Sequence, residues 1–293
     1  MKTLRMKNSS TGVKITIIGF TILFLLNAFY NLYPVYMAIM NAFKTPDEYI
    51  ESIVALPQVW HFENMLKPFE EFETGIGYSY FTLLGNTLWI LVVNTTAELV
   101  SSFIFAYALA KFRFPGSEFL YWLVILTQTI PIMGAGAAGF KLRVALNMIN
   151  NPSLIWLSWL SAFDFTFIIF YGVLKGVSSS YSEAAKMDGA SNIYIMCNVI
   201  MPQVWPVILA NAITAAMGIW NNYSISMIYL RKYPTLGYGM YLMDFEGVGV
   251  YLMEGQRPVY FAAAMWSALP MICLYGASQN LILKNMSVGG LKG

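Results

Sequence analysis

The residues best suited to bind another molecule lie in the sequence EAAKMDGA, residues 183–190, between two long apolar runs. This segment brings Glu183, Lys186 and Asp188 within six positions of one another. Carboxylates and an ammonium group could form ion pairs or hydrogen bonds with complementary groups on a partner. The same residues could also belong to an ordinary connector between two helices, and the charges alone leave both interpretations open.

The local pattern around these residues predicts two helices joined by a sharp turn. The sequence SYSE, Ser180 to Glu183, matches the S-x-x-E capping box, in which two side chains bond free backbone N–H groups. Gly189 suits the left-handed conformation that ends many helices. Ser191 or Asn192 can cap a second helix, which we expect to end at Pro202. A helix of about two turns is marginal in water, so the rest of the chain or a partner must hold the first one.

Two ionisable side chains, Glu98 and Asp164, lie inside apolar stretches. Such groups are costly in lipid, and they usually face a cavity or a partner. They are therefore candidates for lining a substrate pathway. A buried hydrogen bond would explain Glu98 equally well, because Thr95, Ser101 and Ser102 are within helical reach of it.

The composition places the whole chain in a membrane. Its 293 residues are 58% hydrophobic and only 11% charged, with a mean hydropathy of +0.58, whereas soluble domains are about a quarter charged. The formal net charge of +2 argues against a nucleic-acid partner. A single histidine and two cysteines predict neither a zinc site nor a disulfide framework.

Six stretches are long and apolar enough to cross a bilayer as helices. We therefore predict an all-α polytopic membrane protein with a single transmembrane domain, residues 1–293. The predicted spans are residues 15–33, 83–109, 119–140, 154–173, 204–230 and 259–283.

The distribution of charge predicts that both termini are cytoplasmic. With the N-terminus inside, the inner segments carry ten basic and three acidic residues, and the outer segments carry seven basic and ten acidic residues. Cytoplasmic loops of membrane proteins are enriched in Lys and Arg. Lys141 and Arg143 disagree with this orientation, but the reverse orientation fits worse. EAAKMDGA is then cytoplasmic.

Several sequences, in order along the chain, resemble one family of transporters. EAAKMDGASNIYIMCNVIMPQVWP is similar to the EAA loop of permease subunits of binding-protein-dependent ABC importers, particularly those of the carbohydrate-uptake, maltose-permease-like branch. AYALAKFRFPG at the end of the second predicted span, FAAAMWSALP and the terminal GGLKG also resemble that branch. The resemblance implies the type I importer permease fold, with a cytoplasmic coupling loop at about residues 177–203.

The family pattern further implies that the first helix of this loop docks in a cleft of a cytoplasmic ATPase. Small residues would let the helix approach closely, acids would pair with donors, and the glycine would permit the turn. The positions that match the pattern are Glu183, Ala184, Ala185, Asp188, Gly189 and Ala190.

The same resemblance implies the partners and the location. No G-x-x-x-x-G-K-[ST] sequence occurs, so we expect no cofactor and no metal in this chain. ATP and magnesium would bind a separate ATPase dimer. A second permease and an extracytoplasmic solute-binding protein would complete a sugar importer in the bacterial inner membrane. Family precedent makes the second permease a related chain, although a copy of this one is possible.

A third candidate group is WNNYS, residues 220–224, because the corresponding stretch of the family faces the translocation route. Trp220 could stack on a sugar ring while Asn221 and Asn222 bond its hydroxyls. Tryptophan and asparagine also anchor helices near membrane interfaces, so this second interpretation stays open.

Two other classes of protein would show different sequence features. A self-sufficient secondary transporter commonly shows internal repeats, and no convincing repeat relates residues 1–150 to 151–293. It remains the alternative prediction, with proton-dependent uptake as its signature. A membrane-embedded enzyme would need a pattern such as H-E-x-x-H or G-x-S-x-G. Neither is present, and no catalytic residue is predicted.

Overall fold

The computed structural model describes residues 11–130, 135–153, 163–244 and 257–289, and within these ranges the regular structure is entirely helical. The chain divides into two compact units. One comprises the described parts of residues 1–75 and 243–266, and the other those of residues 76–242 and 267–293. The prediction of a single transmembrane domain stays a prediction.

Twelve α-helices occur in the described residues. They are α1 Thr11–Ala42, α2 Pro46–Glu51, α3 Lys67–Glu71, α4 Tyr80–Lys111, α5 Ser117–Thr129, α6 Ala135–Ala145, α7 Phe165–Gly176, α8 Ser179–Met187, α9 Asn192–Tyr194, α10 Met201–Trp220, α11 Leu236–Asp244 and α12 Arg257–Gly289. The described residues also include a 3-10 helix at Phe62–Met65 and π-helical turns at Phe72–Ile76, Ile195–Ile200 and Ile225–Tyr229.

Four helical segments are long and apolar enough to cross a bilayer: Thr11–Ala42, Tyr80–Lys111, Asn192–Trp220 and Arg257–Gln279. They correspond to the first, second, fifth and sixth predicted spans. None of the most apolar window of α1 is buried within the chain, which suits contact with lipid or with another apolar surface.

The other two predicted spans do not appear as single long helices. Residues 119–140 are divided between α5 and α6, and residues 131–134 lie outside the described part. Helix α5 ends at Thr129 because Ile130 is extended, as is common before a proline. Of residues 154–173, the first nine lie outside the described residues, and the rest include most of α7, a 12-residue apolar helix.

The long helix that corresponds to the fifth predicted span, residues 204–230, has other limits than that span. The helix begins at Asn192 and ends at Trp220 instead of running from residue 204 to residue 230. A π-helical turn at Ile195–Ile200 precedes Pro202, which occupies the first turn of α10. Proline is tolerated at the start of a helical segment because the N–H that it lacks is not needed there, so the helix continues past it.

The core of the larger unit lies where α4, α7 and α10 pack together. Phe103 of α4 meets Phe170 of α7 edge to face, with ring centroids 5.6 Å apart. Leu174 and Val204 complete the contact between the three helices, and all four side chains are buried. This packing fixes α7, whose C-terminal end leads directly into α8.

In the smaller unit, the chain after α1 folds around two buried polar residues. The Lys44 side chain is fully buried, and its ammonium group donates to the carbonyl oxygens of Ser52 at 2.8 Å and Ile53 at 3.1 Å. The Asn64 amide donates to the carbonyl oxygens of Ala42 and Lys44. The bonds from Asn64 satisfy carbonyl groups of two buried residues, Ala42 and Lys44, and those from Lys44 hold the chain at Ser52 and Ile53.

Candidate coupling loop and polar groups of the helix core

Helix α8 begins two residues earlier than the capping-box pattern predicts. The Ser178 hydroxyl is the cap and accepts from the Ser180 N–H at 3.3 Å. Ser180 therefore lies in the first turn of the helix, and the predicted capping box of Ser180 with Glu183 is wrong. The sequence VSSSYS offers several hydroxyls, and the first one after the extended residue Val177 takes the cap.

The end of α8 agrees with the prediction. Gly189 has a φ of +78°, in the left-handed region. Its N–H donates to the Lys186 carbonyl at 3.0 Å, and the Ala190 N–H donates to the Ala185 carbonyl at 3.0 Å. This pair of bonds is the Schellman motif, which closes a helix tightly.

The next helix is capped by Ser191, whose hydroxyl accepts from the Tyr194 N–H at 3.3 Å. The expectation that this helix ends at Pro202 was wrong, because it continues as α10. Within the predicted coupling loop of about residues 177–203, the part from Ser178 to Ser191 is therefore bounded by two serine caps and turned by one glycine. From here on the name coupling loop refers to this part.

The six residues that match the family pattern divide by exposure. Glu183, Ala184, Asp188 and Gly189 are exposed, whereas Ala185 and Ala190 are half-buried and pack against the core of α4, α7 and α10. Within the described residues, neither the Glu183 nor the Asp188 carboxylate has a hydrogen-bond partner. The coupling loop thus offers two free carboxylates on a helix whose other side is held by the core.

The base of the coupling loop is tied to α4 by a residue that sequence reasoning did not single out. The Lys111 ammonium group, in the last turn of α4, donates to the carbonyl oxygen of Val177 at 2.6 Å. Val177 immediately precedes the cap Ser178. The Lys186 ammonium group lies 6.0 Å from the centroid of the Phe112 ring, which adds a second contact between α8 and the end of α4.

Glu98 and Asp164 lie on opposite sides of the contact between α4 and α7. The Ser102 hydroxyl of α4 donates to Asp164 Oδ1 at 3.0 Å, and the Thr166 hydroxyl of α7 donates to Glu98 Oε1 at 2.9 Å. Asp164 is also the N-cap of α7, since its carboxylate accepts from the Phe167 N–H at 2.9 Å. These two interhelical bonds are called here the carboxylate clasp.

The hydrogen-bond partners predicted for Glu98 were wrong. The Ser101 hydroxyl bonds the backbone carbonyls of Ala97 and Glu98, and Ser102 bonds Asp164. The buried Thr95 hydroxyl has no partner among the described residues. Sequence spacing indicates neighbours on one helix only, and Thr166 comes from a helix 68 positions away.

The third predicted group is held by different contacts. Trp220 is buried, and its indole N–H donates to the Ser267 carbonyl at 3.1 Å, so its ring is not presented to a ligand. The Asn221 amide donates to the Met217 carbonyl at 2.9 Å. Asn222 Oδ1 accepts from the backbone N–H groups of Ser224 and Ile225. Both asparagines are exposed.

The described residues have the features of a polytopic helical membrane protein. They include long apolar helices and an exposed, capped loop that is fixed to the core of those helices. Residues 100–287 match the family described as binding-protein-dependent transport system inner membrane components. The chain belongs to that family.

Curated relatives of the chain are transport permeases. The arabinooligosaccharides transport system permease protein AraQ of Halalkalibacterium halodurans is 26% identical over 277 residues, covering 93% of this chain and 95% of the relative. The maltodextrin transport system permease protein MalD of Streptococcus pneumoniae is 26% identical, covering 89% and 90%. The diacetylchitobiose uptake system permease protein NgcG of Streptomyces coelicolor is 25% identical, covering 87% and 82%.

Two solved structures have a similar fold. A chain of a bacterial ABC transporter that imports the acidic polysaccharide alginate superimposes with a TM-score of 0.77 at 24% identity, covering 93% of this chain and 98% of that one. A chain of the alginate transporter in complex with a periplasmic protein bound to alginate pentasaccharide gives 0.64 at 16% identity, covering 92% and 95%. At these identities the likeness establishes the fold alone.

Proposed function

We propose that this chain is a membrane-spanning permease subunit of an ATP-driven importer that carries a sugar or oligosaccharide inward by alternating access. The observation that carries the proposal is the coupling loop, in a chain that belongs to the family. Its helix is capped at Ser178, closed at Gly189 and fixed to the core by Ala185 and Ala190. Its free carboxylates, Glu183 and Asp188, are the groups offered to an ATPase.

The proposed topology is the six-span arrangement of the type I importer permease, with both termini in the cytoplasm. The excess of basic residues on the proposed inner side supports the orientation. The TM-score of 0.77 with a permease chain of the alginate importer supports the fold. In this orientation the coupling loop is cytoplasmic, and the chain between α1 and α4 is extracytoplasmic. The membrane itself is proposed to be a bacterial inner membrane.

The proposed partners are an ATPase dimer, a second permease and an extracytoplasmic solute-binding protein. ATP and magnesium are assigned to the ATPase, since the sequence has no P-loop. The relatives named for arabinooligosaccharides, maltodextrin and diacetylchitobiose support a carbohydrate substrate. The alginate transporter, solved with its sugar-loaded periplasmic protein, supports delivery by a binding protein.

The test is to purify the chain with its companions from the native membrane and reconstitute the complex in liposomes. We expect sugar uptake that requires internal ATP, the ATPase and the binding protein together. Uptake by the purified chain alone, driven by a proton gradient, would contradict the proposal and favour a secondary transporter. Crosslinking from cysteines placed at positions 183 and 188 should reach the ATPase and no extracytoplasmic protein.

A further inference from the structure

Four basic residues of the larger unit carry charges that the chain itself does not neutralise. They lie in α6 and directly after the π-helical turn at Ile225–Tyr229, and they are Lys141, Arg143, Arg231 and Lys232. Residues 131–163 and 221–243 contain no acidic residue, and none of the four forms an ion pair with another described residue. These four residues are called here the basic cluster.

The other basic residues on the proposed outer side are used within the chain. The buried Lys44 donates to two backbone carbonyl oxygens. The Lys67 ammonium group donates to Asn64 Oδ1 at 2.7 Å. The Arg257 guanidinium group forms an ion pair with Asp244 at 2.6 Å. The basic cluster is therefore the group of outer cations that is left for a partner outside the chain.

The two segments that carry the basic cluster are tied to each other. The Arg143 guanidinium group lies over the Tyr229 ring, with its Cζ 4.7 Å from the ring centroid. The Asn150 N–H donates to the Tyr229 carbonyl at 2.7 Å, and the Lys232 N–H donates to Asn150 Oδ1 at 3.1 Å. Because the backbone is fixed before a ligand arrives, binding costs less conformational entropy.

Arg143 is the half-buried member of the basic cluster. Its Nη1 lies against Gly139, since a Cβ added to that glycine would be 2.9 Å from this atom. Its Nε is buried and has no hydrogen-bond acceptor among the described residues. The guanidinium group is thus partly removed from water, where its attraction to an anion is stronger than that of a fully solvated cation.

The basic cluster lies at the end of the larger unit opposite to the coupling loop. Just beyond the cluster, the Leu236 N–H donates to Thr87 Oγ1 at 2.8 Å, near the start of α4. Lys111, the last residue of α4, bonds Val177 directly before the coupling loop. The 32 residues of α4 span about 48 Å, more than the hydrocarbon core of about 30 Å. The cluster and the loop therefore lie at opposite membrane faces.

Exposed apolar side chains adjoin the basic cluster, in α6 and directly after it. They are Phe140, Leu142, Val144 and Leu146. Basic side chains beside an exposed apolar helix surface are typical of the membrane interface, where the apolar groups contact acyl chains and the cations reach the headgroups. The acidic surface of a water-soluble protein would match the charges and leave the apolar side chains uncovered.

We propose that the basic cluster binds the phosphate group of an anionic phospholipid in the membrane leaflet opposite to the coupling loop. The phosphate oxygens accept from the Arg143 guanidinium group and from the Lys141 and Lys232 ammonium groups, and the acyl chains lie against the apolar side chains of α6. In the proposed orientation this leaflet is the extracytoplasmic one. The site gives a reason for Lys141 and Arg143 to stand on the side that is otherwise poor in basic residues, and it does not depend on which solute is transported.

The experiment places a photoreactive benzoylphenylalanine at position 142, where the native leucine is exposed. The chain is purified with its companions and reconstituted in nanodiscs of equal parts phosphatidylglycerol and phosphatidylethanolamine, and mass spectrometry identifies the crosslinked lipid. Each basic residue near the membrane surface favours an anionic lipid about fivefold. We expect crosslinked phosphatidylglycerol to exceed phosphatidylethanolamine about tenfold. The double variant Lys141→Gln, Lys232→Gln leaves the contact of Arg143 with Tyr229 in place and should lower this ratio about fivefold or more.

The matched control is the double variant Arg113→Gln, Lys175→Gln. It also removes two exposed positive charges, but from the end of the unit that carries the coupling loop, and it should leave the ratio at position 142 unchanged. Equal labelling of the two lipids in the parent chain, or an equal fall of the ratio in both double variants, would overturn the site. Crosslinking of position 142 to an extracytoplasmic protein in place of lipid would mark the basic cluster as a surface for that protein and would contradict the proposal.

Discussion

Ser102 in α4 donates a hydrogen bond to the carboxylate of Asp164, the residue that caps α7, with 3.0 Å between the two oxygens. The reciprocal bond, from Thr166 of α7 to Glu98 of α4, measures 2.9 Å. Each helix therefore supplies one hydroxyl and one carboxylate. This arrangement satisfies two acidic side chains in an apolar environment, where unpaired charges are costly.

Replacing Asp164 tests the carboxylate clasp. Asp164→Ala removes both the helix cap and the partner of Ser102. We expect the free energy of unfolding to fall by about 1.6 kcal/mol, of which about 1 is the cap and about 0.6 the interhelical bond. Asp164→Asn keeps an acceptor oxygen and should lose about half as much. Denaturant titration in mixed micelles measures both, and equal losses would contradict the clasp.

Lys111 should control how well the coupling loop transmits movement. Lys111→Met removes the 2.6 Å bond to Val177 and so frees the residue before the α8 cap. Hydrogen bonds to charged groups contribute about 1.5–3 kcal/mol, enough to fix the direction of a short helix. We expect at least a severalfold increase in ATP hydrolysed per sugar imported.

Lys111→Arg is the matched control, because its guanidinium group can donate to the same carbonyl. It should keep most of the coupling between hydrolysis and uptake. If methionine and arginine at this position give the same ratio of ATP to sugar as the wild type, the bond to Val177 has no role in coupling.

Lys44 should stabilise the chain after α1. Lys44→Met leaves the carbonyl oxygens of Ser52 and Ile53 without their donor, and we expect a loss of about 1–3 kcal/mol in the free energy of unfolding. Faster amide hydrogen exchange at residues 52–59 would locate the effect there. Asp47→Asn, at an exposed position in the same region, is a control that should change little.

The contribution of Lys44 should also depend on pH. Burial lowers the pKa of the Lys44 ammonium group, and the nearby Glu48 carboxylate opposes part of this shift. Between the lowered pKa and the ordinary lysine value, the unfolded chain binds more protons than the folded one. Stability therefore rises with pH across that window. The stability difference between wild type and Lys44→Met should grow as the pH becomes alkaline, and a constant difference would contradict this cause.

The sequence predicts features that depend on neighbouring residues better than features that depend on distant ones. Gly189 was correctly assigned to a left-handed turn, because a glycine after a helical run has a local meaning. The cap of α8 was misplaced by two residues, since any of several serines in VSSSYS could serve. Thr166, the partner of Glu98, could not be predicted, because it depends on which helices pack together.

Trp220 illustrates a second limit. A tryptophan beside two asparagines suggests a sugar contact, but the same ring can fill the core. The Trp220 ring is buried in the core, where its indole N–H bonds the Ser267 carbonyl. The exposed aromatic ring of this segment is that of Tyr223, three residues later. Composition indicates that a segment has aromatic and amide groups, whereas tertiary contacts decide which of them face solvent.

Glu183→Lys should weaken binding to the ATPase without changing the folding of the chain. Glu183 is exposed and has no hydrogen-bond partner among the described residues, so its replacement should change stability by no more than about 0.5 kcal/mol. We expect weaker association with the ATPase, measured by co-purification, and lower ATP-dependent uptake. Glu118→Lys reverses the charge of another exposed residue on the proposed cytoplasmic side and should leave association intact. Equal behaviour of the two variants would argue against docking through Glu183.

Gly189→Pro should uncouple ATP hydrolysis from transport while the chain still inserts into the membrane. Proline fixes φ near −65°, whereas Gly189 has a φ of +78°, and proline also removes the N–H that bonds the Lys186 carbonyl. Gly189→Asn is the control, since asparagine adopts the left-handed conformation more readily than other side chains and keeps the N–H. We expect the asparagine variant to retain most of the uptake per ATP and the proline variant to lose it. Because the turn directs α8 against the core through Ala185 and Ala190, full coupling in the proline variant would mean that movement enters the membrane helices by another route.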